Sequence, residues 1–301
     1  MSADQWKLKS EKGHALLIRL MVFLSLFLGR RFSRVVLSGI VVFYLLAARK
    51  EVDYSRYYLT KVLNSKPTWV DAYRHFFSFA SVLHDRIYWL SRRYDAFSYS
   101  VVGIEALESA RSQGKGVILM GAHLGSFEAL RSVAEQYPDL SVSMLMHADN
   151  AVKIGQVLTP INPEVSQQII PLGLPDTMLK VQEKLTDGDV VGMLVDRSIH
   201  NDDVMTTNFL GEEASFPIGP FRLAAALRLP VVFMTGLYMG GNRYELHFVP
   251  IQDFSYVERT ERNACIQQAM LTYQSILSGF CQQSPYNWFN FYPFWKGQDE
   301  S

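Results

Sequence analysis

The segment Val117 to Arg131, V-I-L-M-G-A-H-L-G-S-F-E-A-L-R, constrains the fold of this 301-residue chain more than any other. Val117 to Met120 is a short apolar run and reads as a buried strand. Gly121 ends it, and Ser126 is placed to cap a helix that begins with Phe127 and Glu128. His123 then sits in the turn at the carboxyl end of a strand, just ahead of a helix N-terminus. Open α/β sheets place ligands and chemistry there.

His123 and Glu128 are the candidate catalytic pair of this turn. On one continuous helix, residues five apart point about 140° away from each other and do not meet. With His123 in the turn and Glu128 in the first helical turn, the carboxylate can reach back to the imidazole. A carboxylate on one ring nitrogen fixes the tautomer and frees the other to take a proton from a hydroxyl. Backbone N–H groups at the helix start would be available to a developing oxyanion. Spacing alone favours a plainer reading, a satisfied turn histidine and a first-turn carboxylate complementing the helix dipole.

A second block stands in the same topological position. Val190 to Val195 is an apolar strand, and Asp196-Arg197-Ser198 follows at its carboxyl end. Arg197 can hold a phosphate or carboxylate with two parallel hydrogen bonds. Asp196 can bond that arginine, a substrate hydroxyl or the strand-end backbone. The alternative is a structural Asp–Arg pair in a turn. His147 also follows a strand, Leu140 to Met146, and is a weaker candidate; His75 and His84 read as helix-packing or surface residues.

Around these blocks the chain alternates. One or two amphipathic helices fill Val52 to Leu90, with a break at Pro67 and Thr68 as a candidate cap. A strand at Tyr99 to Val102 precedes a helix from Glu105 to Ser112. The central helix runs to about Gln136, the stretch from His147 to Gly173 is irregular, and Asp176 to Thr186 is helical. Phe209-Leu210-Gly211 leads through Gly219-Pro220 into a helix, Phe221 to Ala226. Pro230 to Tyr238 and Arg243 to Ile251 flank Gly240-Gly241-Asn242 as a β-hairpin, and Glu258 to Phe280 is a long amphipathic helix. The tail Tyr286 to Trp295 is aromatic and reads as packing over a sheet edge, as a membrane-interface belt, or as both. The expected fold is a single α/β domain: a mixed, mainly parallel sheet flanked by helices.

The first fifty residues differ. Nine lysines and arginines stand against Asp4 and Glu11, around two apolar runs, Leu20 to Leu28 and Val35 to Ala48. Each run is shorter than the roughly 20 residues a spanning helix needs. They fit a helical hairpin in one leaflet, with Arg30, Arg31 and Arg34 at the headgroups, or a single strained span of the second run. A pair of buried core helices is the other reading. The expected division is 1–50 as a membrane-anchoring segment and 51–301 as an α/β domain.

Composition excludes several classes. Net charge is zero, so no basic field favours nucleic acid. Cys265 and Cys281 are far apart with no His/Cys cluster, so neither a zinc site nor another metal or cofactor is expected, and a reduced, cytosol-facing protein is the simplest reading.

The block G-A-H-L-G-S-F-E resembles the His-x4-Asp/Glu block of the glycerolipid acyltransferase superfamily, and most closely its lipid A biosynthesis (late, secondary) acyltransferases. Asp196-Arg197-Ser198 resembles that superfamily's second block. F-L-G through G-P, at 209–220, resembles its third, and the P-x-x-W tail resembles this branch as well. The likeness runs from about Arg19 to Trp295. Position 122 is Ala where many members carry a polar residue. No arginine occurs between Arg131 and Arg197, where members carry one thought to touch substrate, so that contact is absent or supplied from elsewhere.

The resemblance implies an O-acyltransferase at the cytoplasmic face of a bacterial inner membrane. Its donor would be an acyl-carrier-protein or coenzyme A thioester, and its acceptor a lipid or glycolipid hydroxyl. His123 and Glu128 would be catalytic; Gly125, Asp196, Arg197 and Ser198 would bind substrate. A catalytically silent lipid-binding component and a thioester or lipid hydrolase remain as alternatives.

Overall fold

The computed structural model describes residues 25, 27, 29–130, 141–148, 151–152, 162, 168–198 and 203–295. Its centre is a seven-stranded sheet made of β1 (Ser98–Val102), β2 (Val117–Gly121), β3 (Val142–His147), β4 (Ile169–Leu172), β5 (Val190–Leu194), β8 (Pro230–Tyr238) and β9 (Arg243–Asp253). The order is β1-β9-β8-β2-β5-β3-β4. Only the β8–β9 hairpin is antiparallel; every other neighbouring pair is parallel. β2 and β8 are buried along their whole length, which explains why both read as unbroken apolar runs.

Helices cover both faces: α2 (Arg49–Val62), α3 (Trp69–Leu90), α4 (Ile104–Arg111), α5 (Thr177–Thr186), α6 (Gly219–Leu227) and α7 (Arg262–Gln283). Thr68 starts α3 with a reciprocal cap: its side chain accepts from the Asp71 amide, and the Thr68 amide donates to Asp71. The mainly parallel α/β architecture expected from the sequence is thus present.

Three local differences have clear causes. The hairpin β6 (Val204–Phe209) and β7 (Glu212–Pro217) was not legible as strands. It turns at Leu210 and Gly211, both at positive φ (52° and 92°), and a leucine there carries no turn signal. The helix expected after Ser126 is seen as a short 3₁₀ turn, Glu128–Leu130, with Ser126 Oγ accepting from the Ala129 amide at 3.3 Å. Its continuation to Gln136 lies outside the described residues, as does most of the irregular stretch before β4 and nearly all of the first apolar run.

The second apolar run forms α1 (Gly29–Ala47), which meets α2 at a 97° bend. Among the described residues no single helix is long and apolar enough to cross a membrane; the bent pair passes only when taken together. Two of the arginines expected at headgroup level face the protein instead. Arg30 pairs with the buried Asp85 through two hydrogen bonds (2.7 and 2.6 Å), and Asp85 also accepts from the Tyr244 hydroxyl at 2.8 Å. Arg34 donates to the Tyr238 hydroxyl at 2.5 Å and lies over the Phe77 ring. Val41 and Leu45 pack against Ala72 and Phe76 of α3. Outward, α1 presents Val35, Phe43 and Leu46, each about two-thirds exposed or more (72%, 66% and 70%).

Candidate active site

The site forms because β2 and β5 are parallel neighbours in register, with Gly121 beside Leu194. The Val195 amide donates to the Gly121 carbonyl at 3.0 Å and extends the pairing past the strand ends. His123 and Asp196 each lie two residues beyond those ends, so the sheet brings them together. Parallel strands end on one edge, which is why the crevice lies there.

Asp196 is buried and accepts three hydrogen bonds: from the His123 amide at 3.0 Å, from His123 Nδ1 at 2.9 Å and from Trp288 Nε1 at 3.0 Å. Burial alone would push its pKa up. The imidazole's charge and hydrogen bond, the neighbouring Arg197 and the indole N–H outweigh that and hold it down at about 2. An ionised carboxylate only accepts, so the proton of the neutral imidazole is on Nδ1 and the Nε2 lone pair is free. His123 is partly exposed on a cleft of about 550 Å³. Phe79, Leu83, Phe127, Leu194, Phe289 and Phe291 supply its apolar walls; Arg86, Arg197 and Tyr292 add polar groups.

The turn that carries His123 is clamped. Gly125 adopts φ +67°, and a Cβ there would sit 2.1 Å from the Gly236 carbonyl oxygen of β8. Only glycine permits this approach. The Ser126 amide donates to Gly236 O at 2.7 Å, the Gly125 amide to Asn287 O at 2.8 Å, and Thr235 Oγ1 to Leu124 O at 2.7 Å. The amides of His123, Gly125 and Ser126 are therefore already engaged. These three amides hold the turn and are not available to a developing oxyanion.

Glu128 does not take the place expected for it. Its carboxylate approaches Arg86 of α3, with Oε1 2.7 Å from Nε, while the imidazole has Asp196. The cause is positional. The strand-end loop of β5 delivers Asp196 directly to Nδ1, whereas Glu128 lies beyond Gly125 and faces α3. Asp196, named from sequence as a substrate-binding residue, thus lies beneath the histidine as its partner. Arg197 and Gly125 do line the cleft; Ser198 is exposed and is not among the lining residues, and neither is His147. Arg197 Nη2 donates to Phe289 O at 2.9 Å, and its guanidinium lies over the Tyr292 ring at 4.8 Å.

The residue that sequence reasoning missed is Trp288. The tail crosses the sheet edge, the Phe289 amide donates to His123 O at 2.8 Å, and the Trp288 indole reaches Asp196. The Trp288 carbonyl in turn contacts His75 Nε2 at 2.8 Å, and His75 Nδ1 contacts Ser55 Oγ at 2.8 Å. Trp288 and Trp295 are both buried, so the tail's tryptophans pack and do not form an exposed belt. The tail's aromatic richness was the available signal, but nothing local says which ring reaches the acid.

The model of the bacterial lipid A biosynthesis acyltransferases matches residues 74–297. The chain belongs to that family. No curated protein matches it. As a lipid A acyltransferase family member it is an acyltransferase that acts on lipid. The family's span takes in the clamped turn, Asp196 and the tail, and it begins inside α3, after α1 and α2.

Proposed function

We propose that this lipid A acyltransferase family member is a membrane-associated O-acyltransferase using an acyl thioester, carried by acyl carrier protein or coenzyme A. The observation that carries the reading is His123, with Nδ1 on the buried Asp196 and Nε2 free in an apolar cleft. The acceptor hydroxyl gives its proton to Nε2 as its oxygen attacks the thioester carbonyl. The new C–O bond forms, the C–S bond breaks, and the leaving thiolate takes the proton back from the imidazolium. Asp196 stabilises the imidazolium in between and keeps its own charge throughout. A positioned general base of this kind contributes about 10²- to 10⁴-fold. The expected His–Glu pair becomes a His–Asp pair, for the geometric reason given above.

The aromatic and aliphatic walls suit a fatty acyl chain, and Arg197 suits an anionic group of donor or acceptor. Residues 1–50 would serve as the anchor. Support comes from the outward apolar face of α1 together with the basic flanks. The setting would be the cytoplasmic face of a bacterial inner membrane.

The test is a labelled acyl-transfer assay in membranes, with both thioester types supplied and lipids resolved by mass. A lipid that gains one acyl chain with wild type but not with His123→Ala establishes the reading and names donor and acceptor. Release of free fatty acid alone would replace it with hydrolysis.

A further inference from the structure

Among the described residues, Arg86 is the one cation in the cleft wall that comes from outside the turn, the Asp196 loop and the tail. It projects from α3, one-quarter exposed, and lines the same cleft as His123 and Arg197. Its only charged partner among the described residues is Glu128, whose side chain is nearly buried (11% exposed). The pair is close but incompletely bonded. Arg86 Nε meets Glu128 Oε1 at 2.7 Å, and Glu128 Oε2 is buried without a hydrogen bond among the described residues. Arg197 Nε is buried without a hydrogen bond among the described residues. No carboxylate is among the described residues that line the cleft. Two guanidinium groups thus border an apolar cavity, and no hydrogen bond from the Arg86 terminal nitrogens is present among the described residues. A guanidinium beside an apolar cavity is stabilised when its remaining N–H donors find an acceptor.

We propose that Arg86 is a substrate-contacting residue that takes an anionic, phosphate-type group of the substrate, and that Glu128 is the residue positioning it. The proposal rests on the acyltransfer reading. It also gives Glu128 a role that does not require contact with the imidazole. A guanidinium binds phosphate oxygens through two parallel N–H donors, and a carboxylate behind it fixes the fork's direction. The phosphate could belong to the phosphopantetheine arm of the donor or to the headgroup of the acceptor, and the two sources are separable.

The experiment uses full-length protein in membranes. The donor is either an acyl-carrier-protein thioester or the N-acetylcysteamine thioester of the same acid, which has no phosphate. The acceptor is a lipid A precursor or its dephosphorylated form. Arg86→Gln is expected to raise KM for one phosphate-bearing substrate about 10- to 100-fold. The penalty should shrink to under about threefold when that substrate is replaced by its phosphate-free counterpart. The substrate for which this happens names the source. Arg86→Lys, which keeps the charge and loses the fork, should fall in between. Glu128→Gln should raise the same KM while leaving the pH profile of kcat where it is in wild type, because it does not touch His123.

A penalty equal on charged and phosphate-free substrates, or no penalty at all, overturns the proposal. So does a Glu128→Gln pH profile displaced from wild type. Wild-type protein that transfers no acyl chain in any combination overturns the functional reading, and this proposal with it.

Discussion

Two histidines meet Trp288 at its two polar ends, and they are held in different ways. His75 contacts the Trp288 carbonyl through Nε2 and Ser55 Oγ through Nδ1, so both ring nitrogens are occupied. It is fully buried, and burial pushes its pKa down to about 4 even though the carbonyl contact opposes this. It is a neutral, saturated imidazole. Nε2–H donates to the carbonyl and Nδ1 accepts from the hydroxyl. His123 reaches the same tryptophan through Asp196, which bonds Nδ1 on one side and the indole N–H on the other. It has a charged partner, one nitrogen left over, and a cleft in front of it. The contrast shows what makes a histidine usable for proton transfer. Burial with both valences filled gives a structural pin; a buried carboxylate behind and an open nitrogen ahead give a base.

That contrast can be broken at several points. The largest effect is expected for His123→Ala, which should lower kcat by about 10⁴-fold with an unchanged circular-dichroism spectrum. Near-normal turnover would mean that the open nitrogen is not the base. Asp196→Asn comes next. An amide cannot supply the charge, and its NH₂ can push the ring into the wrong tautomer, so kcat should drop by about 10²- to 10³-fold. A retained kcat would make Asp196 structural only.

Trp288→Phe removes one of three donors to Asp196. It should cost about three- to tenfold in kcat and roughly 2 kcal/mol of stability, read as a fall of a few degrees in Tm.

The smallest effect on turnover concerns His75. Its folded pKa of about 4 lies below the unfolded value near 6.5, so the unfolded chain binds the extra proton first. The contribution is complete above about pH 6.5 and is lost as pH falls through about 4, by up to about 3 kcal/mol. His75→Gln cannot titrate. Its Tm should depend less on pH over that window, with activity at neutral pH within a few-fold of wild type. A steeper dependence would show that His75 is not the acid-sensitive pin.

Much of this architecture was legible in the chain. The apolar runs of β2, β5 and β8, the Thr68 cap, the glycine breaks and the β8–β9 hairpin all follow from local rules, because each depends on residues close in sequence. The placement of His123 and Asp196 just past two strand ends was legible for the same reason. Their partnership was not. Glu128 is five residues from His123 and Asp196 is seventy-three, so proximity in sequence pointed to a carboxylate that the fold places against Arg86, while Asp196 bonds the imidazole. The arginines of α1 misled in a similar way. Beside an apolar run, Arg30 and Arg34 look like headgroup anchors, and only the fold reveals Asp85 and Tyr238 waiting for them.

By itself, the sequence determined the alternation of strands and helices, the family and the chemical inventory at the sheet edge, since periodicity, capping and motif identity are properties of short stretches. The tertiary structure decided which acid serves the histidine, which tryptophan holds that acid and which arginine faces the cleft. Those choices depend on β2 and β5 being adjacent and on the tail crossing their edge, and strand order is set by how the apolar faces pack together rather than by any local signal.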